Sequence, residues 1–255
     1  MRRCRPLLGT FVEIEAGDSA AIDAAFAVVE RVHELMSAHD PASELSRINR
    51  FAHLAPVQVS EWTAAVIERA LHWSRVSAGR FDAVRAGADW TAVRLAAGAV
   101  SLDRPARLDL GGIAKGFAVD RAVDALKAAG VRRGLVNAGG DLRGFGSKPW
   151  PITIVDPASR RPLVSVDLID ASMATSGGVP DESGALSFGH LPSRNERWVS
   201  VTVRAIDACD ADALTKIVWA GGSGVSSLLH SAGAESFAIR ADGELESIGA
   251  EALAA

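Results

Sequence analysis

The stretch from Leu108 to Gly146, LDLGGIAKGFAVDRAVDALKAAGVRRGLVNAGGDLRGFG, constrains the fold of this chain more than any other. It opens on an acid and two glycines, Asp109, Gly111 and Gly112, and continues as a periodic helix. A short apolar strand and a second glycine pair, Gly139 and Gly140, follow. Val119, Ala122, Val123 and Leu126 recur at helical spacing, which commits one face to a core, and Gly130 just beyond them is a natural stop. A loop, helix, strand, loop order of this kind brings the two glycine turns close together. Backbone N–H groups left free at a helix N-terminus, with Lys115 one turn in, suit a phosphate or pyrophosphate. On the glycines alone, a pair of ordinary turns is the better reading. A Rossmann dinucleotide site is set aside on local order. The glycines from Gly139 to Gly146 lead into another strand, and the Gly111 loop lacks the G-x-G-x-x-G spacing.

The flanking sequence supplies mixed elements. Leu8 to Ala16 alternates Thr10, Val12 and Ile14 with Phe11, Glu13 and Glu15, as a half-exposed strand does. Ile22, Phe26, Val29, His33 and Met36 predict a helix over 19–38, in which His33 is a packed or rim side chain rather than a ligand. Ser43 caps a short helix through Ile48, and Ser60 caps a longer one reaching Ser77. Gly79 to Asp82 closes that helix, and an irregular stretch with Trp90 follows. Strands are expected over 152–155, 163–168 and 199–204, and residues 178–197 lack periodicity. Helices are expected over 211–220 and 225–231, then a hairpin of 237–240 with 245–248 through Asp242-Gly243.

Such mixed runs, without repeat or linker, point to an α+β fold: a single compact domain over 1–255, with mixed sheets and flanking helices. A 48% hydrophobic, 23% charged chain of 255 residues can bury one large core. A net charge of −4 with no basic block argues against a polynucleotide partner. Cys4 and Cys209 make neither a disulfide framework nor a metal-ligand spacing. No stretch reaches membrane-spanning length and no export signal is seen, so the expected compartment is the cytoplasm.

Two further places carry candidate chemistry. Asp212 and Thr215, three residues apart, share a helix face near its N-terminus. A carboxylate and a hydroxyl there suit Mg²⁺, although on these residues alone plain capping of the helix by Asp210 or Asp212 is the better reading. The hydroxyls and glycines of Thr175, Ser176, Gly177 and Gly178 suit an anion or a plain turn.

Six segments, in order, resemble the ApbE family of FAD:protein FMN transferases. LLGTFVEIE is similar to that family's M-G-T strand, MSAHDPASELSRIN to its S-x-[YF]-x-x-x-S-E-[IL]-S-x-[IL]-N segment, and SAGRFD to its G-A-F-D turn. DLGGIAKGFAVDRA with LVNAGGDLRGFG, then MATSGG and ADALTK, complete the set, which spans positions 8–216. The resemblance implies a T-fold-related domain in which Asp109 and Lys115 contact FAD. Leu8, His39, Arg80, Phe81 and Asp82 would line the flavin site, with Thr175, Ser176 and Gly177 also at the cofactor. The Gly112 carbonyl, Asp212 and Thr215 would surround Mg²⁺, and Gly139 to Asp141 would form the partner loop. The implied reaction moves the FMN half of FAD to a threonine hydroxyl of an acceptor protein and releases AMP. His190 is the implied base, with Asp141 next.

The departures from the family pattern are specific. After His190 the Asp-Pro-x-Thr-Gly portion of the family segment is replaced by Leu191-Pro192-Ser193-Arg194. His39 stands at the usual aromatic position, and the chain has no tyrosine. Lys216 stands where the family usually offers a threonine, four residues after Asp212. Two other classes therefore stay open: a protein that holds FAD as carrier or sensor without transfer, and a hydrolase that splits FAD to FMN and AMP.

Overall fold

The structure, a computed structural model, describes residues 1–180, 186–187 and 197–249. Eight strands form one antiparallel sheet. Their order across it is Arg2–Leu7, Thr10–Ala16, Gly134–Ala138, Asp141–Phe145, Ala171–Gly177, Trp198–Ala205, Glu235–Arg240 and Leu245–Ile248. The helices among the described residues are α1 (Ser19–Met36), α2 (Glu44–Phe51), α3 (Glu61–Val76), α4 (Ala114–Ala128), α5 (Ala208–Ala220) and α6 (Val225–Ser231). The α+β expectation holds, and no helix among the described residues is long and apolar enough to cross a membrane.

Alternation along each strand sends neighbouring side chains to opposite faces. Val136, Ala138, Ala174, Val201 and Val203 join one face to the main core, where α1 packs on α4 and α4 on α5. Leu142, Met173 and Ile239 point the other way, onto a separate hairpin of Trp150–Val155 and Pro162–Leu168 that carries its own cluster around Trp150 and Leu168. The caps expected at Ser43 and Ser60 form: Ser43 Oγ accepts from Ser46 N at 3.0 Å and Ser60 Oγ from Thr63 N at 3.4 Å. Gly130, at φ 81°, follows α4 as expected.

Three expectations are corrected. The strand expected from Leu8 begins at Thr10, because Leu8 and Gly9, at φ 55° and 72°, are a hairpin turn back to Arg2–Leu7. That edge strand is held to α1 through Arg3–Asp23 at 2.8 Å and Arg5–Glu30 at 2.9 Å, contacts that no apolar alternation announces. The stretch around Trp90 is not wholly irregular. Val93–Ala96 and Ala99–Leu102 form a hairpin turning on Ala97 and Gly98, at φ 50° and 72°, and Val84–Ala86 pairs with Arg107–Leu108. Helix α5 begins at Ala208 rather than Ala211, for a reason that lies in α4.

Candidate active site

Helix α4 lies unusually close on the start of α5. A Cβ added at Gly116 would stand 2.1 Å from the Ala208 carbonyl oxygen, so a glycine is required at this crossing. One turn on, the buried Asp120 carboxylate accepts the N–H groups of Ala208 at 3.0 Å and Cys209 at 2.9 Å. Asp120 thus caps α5 from another helix, while Asp207, at the N-cap position itself, makes no side-chain cap bond. Arg143 Nη1 lies 2.6 Å from Asp120 Oδ1 and 2.9 Å from Asp207 Oδ1. Burial raises the Asp120 pKa, against the pull of Arg143 and the two amides. The capping by Asp210 or Asp212 that the sequence suggested is therefore not what starts this helix. Asp210 pairs with Arg69 and accepts from Trp73 Nε1 at 2.9 Å, and Asp212 turns inward.

The close crossing assembles four charges. Lys115, in the first turn of α4, is ion-paired with Asp141 and lies 3.6 Å from Asp212 Oδ2. Lys216 Nζ donates to Asp212 Oδ1, and the Gly116 N–H reaches Asp212 Oδ2 at 3.4 Å. Asp141 is 1% and Asp212 0% exposed, so neither carboxylate is shared with water. Burial works against the Lys115 charge, but Asp141 and Asp212 outweigh it and raise its pKa. Burial and the nearby Asp212 charge push Asp141 up to about 6, although Lys115 and Lys216 oppose them. Burial also disfavours the Asp212 anion, yet Lys115 and Lys216 prevail and hold it below the usual carboxylate range. Among the described residues Asp141 Oδ1 has no hydrogen-bond partner.

Lys115 forms part of the wall of a cleft of about 500 Å³, lined also by Leu8, His39 and Asp109 and floored by Val32 and Met36. Asn49 fixes the strand entering the Asp109 loop from both sides: its Nδ2 donates to Leu108 O at 2.9 Å and its Oδ1 accepts from Leu108 N at 2.8 Å. In the sequence Asn49 stands out only as the last residue of MSAHDPASELSRIN, a position that carries no role by itself. Asp109 Oδ1 accepts from Gly111 N at 2.8 Å, and Oδ2 lies 3.4 Å from Arg85 Nε. The amides expected to be free here are mostly used. Ile113 and Ala114 N–H donate to Leu110 O at 3.0 and 2.8 Å, Gly111 N–H goes to Asp109 and Gly116 N–H to Asp212. The ammonium of Lys115, not the helix amides, is what this wall offers an anion.

The other expected site residues are dispersed. Arg80 donates to the carbonyls of Gly221 at 2.9 Å, Ser77 at 3.0 Å and Ser223 at 3.0 Å, and Asp82 accepts from Val84 N at 2.8 Å and Trp90 N at 3.2 Å. Both hold loops and neither lines the cleft. Phe81 is buried, with its ring edge 3.4 Å from where a Gly112 Cβ would stand. Gly139, Gly140, Thr175 and Gly177 line a separate hollow of about 380 Å³ beside the Trp150 hairpin. Ser176 points to the opposite face and bonds Thr215 Oγ1 at 2.7 Å. His190 lies outside the described residues.

The donor set expected for Mg²⁺ is otherwise engaged. The single hydroxyl proton of Thr215 goes to Asp212 O at 2.7 Å, which makes Ser176 the donor to its oxygen. Both Asp212 carboxylate oxygens face N–H donors, and Lys216 Cε lies 3.4 Å from the Gly112 Cβ position. Mg²⁺ needs near-octahedral oxygen ligation. An ammonium stands beside the one carboxylate that would provide it, so the side chains present do not fit the ion. No group of three or more His, Cys, Asp or Glu suited to a metal occurs among the described residues.

The family model described as the ApbE family matches residues 8–88 and 83–226 of this chain. Among curated proteins, the chain is 28% identical over 253 residues to the FAD:protein FMN transferase of Treponema pallidum, covering 76% of this chain and 69% of that protein. It is 29% identical over 230 residues to the FAD:protein FMN transferase of Vibrio cholerae, covering 73% and 69%. Its fold superposes on the flavin transferase ApbE from Vibrio cholerae with a TM-score of 0.83 at 24% identity, over 97% of this chain and 96% of that one. The ApbE protein from Thermotoga maritima gives a TM-score of 0.86 at 24% identity, over 96% of each chain.

Proposed function

The chain belongs to the ApbE family, and from that membership together with the cleft at Lys115 we propose that it is an FAD:protein FMN transferase acting on a threonine hydroxyl. The observation that carries the reading is the ammonium of Lys115, set in the wall of an apolar-floored cleft and fixed from behind by Asp141 and Asp212. A flavin ring suits the Leu8, Val32 and Met36 surface, and the pyrophosphate suits Lys115. The acceptor oxygen forms a bond to the flavin-side phosphorus while the bond from that phosphorus to the bridging oxygen breaks. The bridging oxygen leaves as part of AMP, and FMN stays on threonine as a phosphodiester. Lys115 offsets the charge that grows on the phosphates.

The hydroxyl proton needs a base. We take Asp141 as that base, since the other candidate, His190, lies outside the described residues. Its pKa of about 6 leaves it ionised at neutral pH, one oxygen is held by Lys115, and among the described residues Oδ1 has no partner. The side chains that the resemblance implies for Mg²⁺ are engaged with Lys216, the Gly116 amide and the Asp212 carbonyl.

Purified protein incubated with FAD and a supplied acceptor protein is expected to release AMP and to leave the acceptor with covalent flavin, read by mass spectrometry and in-gel fluorescence. AMP released equally without acceptor identifies a hydrolase instead. Tight FAD binding with no AMP under any acceptor identifies a carrier.

A further inference from the structure

We propose that Lys216 is a built-in replacement for the divalent cation: its ammonium holds the cation position beside Asp212, and the chain binds its phosphate ligand without a metal ion. The identity of the ligand, the FAD pyrophosphate, rests on the transferase reading, whereas the absence of a divalent ion at Asp212 stands without it. Lys216 is one turn after Asp212 on α5, is 8% exposed, and among the described residues donates to Asp212 alone. Its stem runs past Gly112, with Cε and Cδ 3.4 and 3.8 Å from the place a Cβ would take. These are ordinary contact distances, which place the lysine stem directly beside Gly112. Lys216 thus lies among the three groups that the metal reading required, Gly112, Asp212 and Thr215, and meets the only acid of the three.

Charge balance supports the substitution. Lys115 and Lys216 face Asp141 and Asp212, two ammonium groups against two carboxylates, and the buried cluster sums to zero. In the ligand-free protein a divalent ion added at Asp212 would leave two uncompensated charges beside two ammonium groups that repel it. The pair of lysines already carries the two positive charges that one such ion would bring. An ammonium has three N–H donors, and with one given to Asp212, two remain for phosphate oxygens. In the transfer reaction Lys216 then donates to a pyrophosphate oxygen whose charge grows as the bond to the bridging oxygen breaks.

The test uses Mn²⁺ as a spectroscopic probe and FAD as ligand. Titrated with Mn²⁺ and followed by electron paramagnetic resonance, the unsubstituted protein is expected to show no stoichiometric site. Lys216→Thr, which exchanges the ammonium for an oxygen donor, is expected to gain one site that the double variant with Asp212→Asn lacks. FAD affinity of the unsubstituted protein is expected to be unchanged by EDTA, and that of Lys216→Thr to fall tenfold or more in EDTA and to recover with Mn²⁺. Stoichiometric Mn²⁺ on the unsubstituted protein that Asp212→Asn removes overturns the proposal, as does a tenfold loss of its FAD affinity in EDTA. Should Lys216→Thr not fold, these two measurements on the unsubstituted protein decide. If FAD binds neither protein, the transferase reading fails, and the Mn²⁺ titration still decides the question of the cation.

Discussion

At the scale of single residues, Asp141 and Asp212 show how two carboxylates of one cluster are driven apart. Both are buried, but Asp212 faces two ammonium groups and the Gly116 amide, whereas among the described residues Asp141 is ion-paired with Lys115 alone and its Oδ1 has no hydrogen-bond partner. Asp212 is held below the usual carboxylate range and Asp141 is raised to about 6. Their effects on stability therefore fall in different pH windows. The folded state keeps a proton on Asp141 that the unfolded chain releases from about pH 4 upward. The contribution of Asp141 is thus fully present at low pH and is lost as the pH rises through 6. Asp212 has the opposite sign: its contribution is present above about pH 4 and is lost as the pH falls further. The unsubstituted protein is expected to lose melting temperature between about pH 4 and pH 6, and Asp141→Asn to remove that fall. If Asp141 is the base, the same change also removes an activity limb near pH 6 and lowers transfer by roughly 10²–10⁴-fold. Parallel stability curves for the two proteins across that window would refute the assignment of the raised pKa to Asp141.

At the scale of elements, the site depends on how near α4 can come to α5. Gly116→Ala places a methyl group 2.1 Å from the Ala208 carbonyl oxygen, and backbone on both sides leaves nothing flexible to yield. Overpacking of this kind costs about 1–3 kcal/mol, and separating the helices also pulls Lys115 from Asp212. The expected outcome is a lower melting temperature by circular dichroism, with transfer falling at temperatures where the variant is still folded. Retained activity with lowered stability would mean that the crossing serves packing alone. This element-level dependence is also where the sequence was least readable. Helices α1, α3 and α4 announce themselves by apolar period, Ser60 and Gly130, all of which act within a few residues. The start of α5 does not, because its cap is Asp120, eighty-eight residues before Ala208. Arg2–Leu7 went unread for a similar reason, since its arginines are matched by acids on α1 rather than by an alternating pattern of their own. Of the candidate site, Lys115, Asp109 and Asp212 were legible as motif residues, and Lys115 lies 3.6 Å from Asp212 and shares a cleft with Asp109. Arg80 and Asp82 were equally legible as a motif, but their side chains are used to hold loops.

At the scale of the whole molecule, the cleft is a joint product of distant segments. The Leu8 turn, the end of α1, the Asp109 loop and the first turn of α4 meet only because the N-terminal hairpin pairs with Gly134–Ala138 in the sheet beneath them. Gly139 completes this joint, since a Cβ there would lie 2.3 Å from Thr10 Oγ1. The assembly bears on which flavin the site prefers. A terminal phosphate, as in FMN, concentrates up to two negative charges on one group and is best served by a strongly positive site. The cluster here is balanced, two lysines against two aspartates, and so does not reward concentrated charge. A pyrophosphate spreads one charge to each phosphorus, so two ammonium groups can each meet one. The adenosine half of FAD also offers surface that FMN and riboflavin lack. Burying about 60 Å² of it contributes roughly 1.5 kcal/mol, or about tenfold in affinity. Calorimetric titration is thus expected to rank FAD at least about tenfold above FMN, with riboflavin weaker still for want of any phosphate to meet Lys115. Equal affinities for the three would show that the ring alone is recognised, and would remove Lys115 from the binding site.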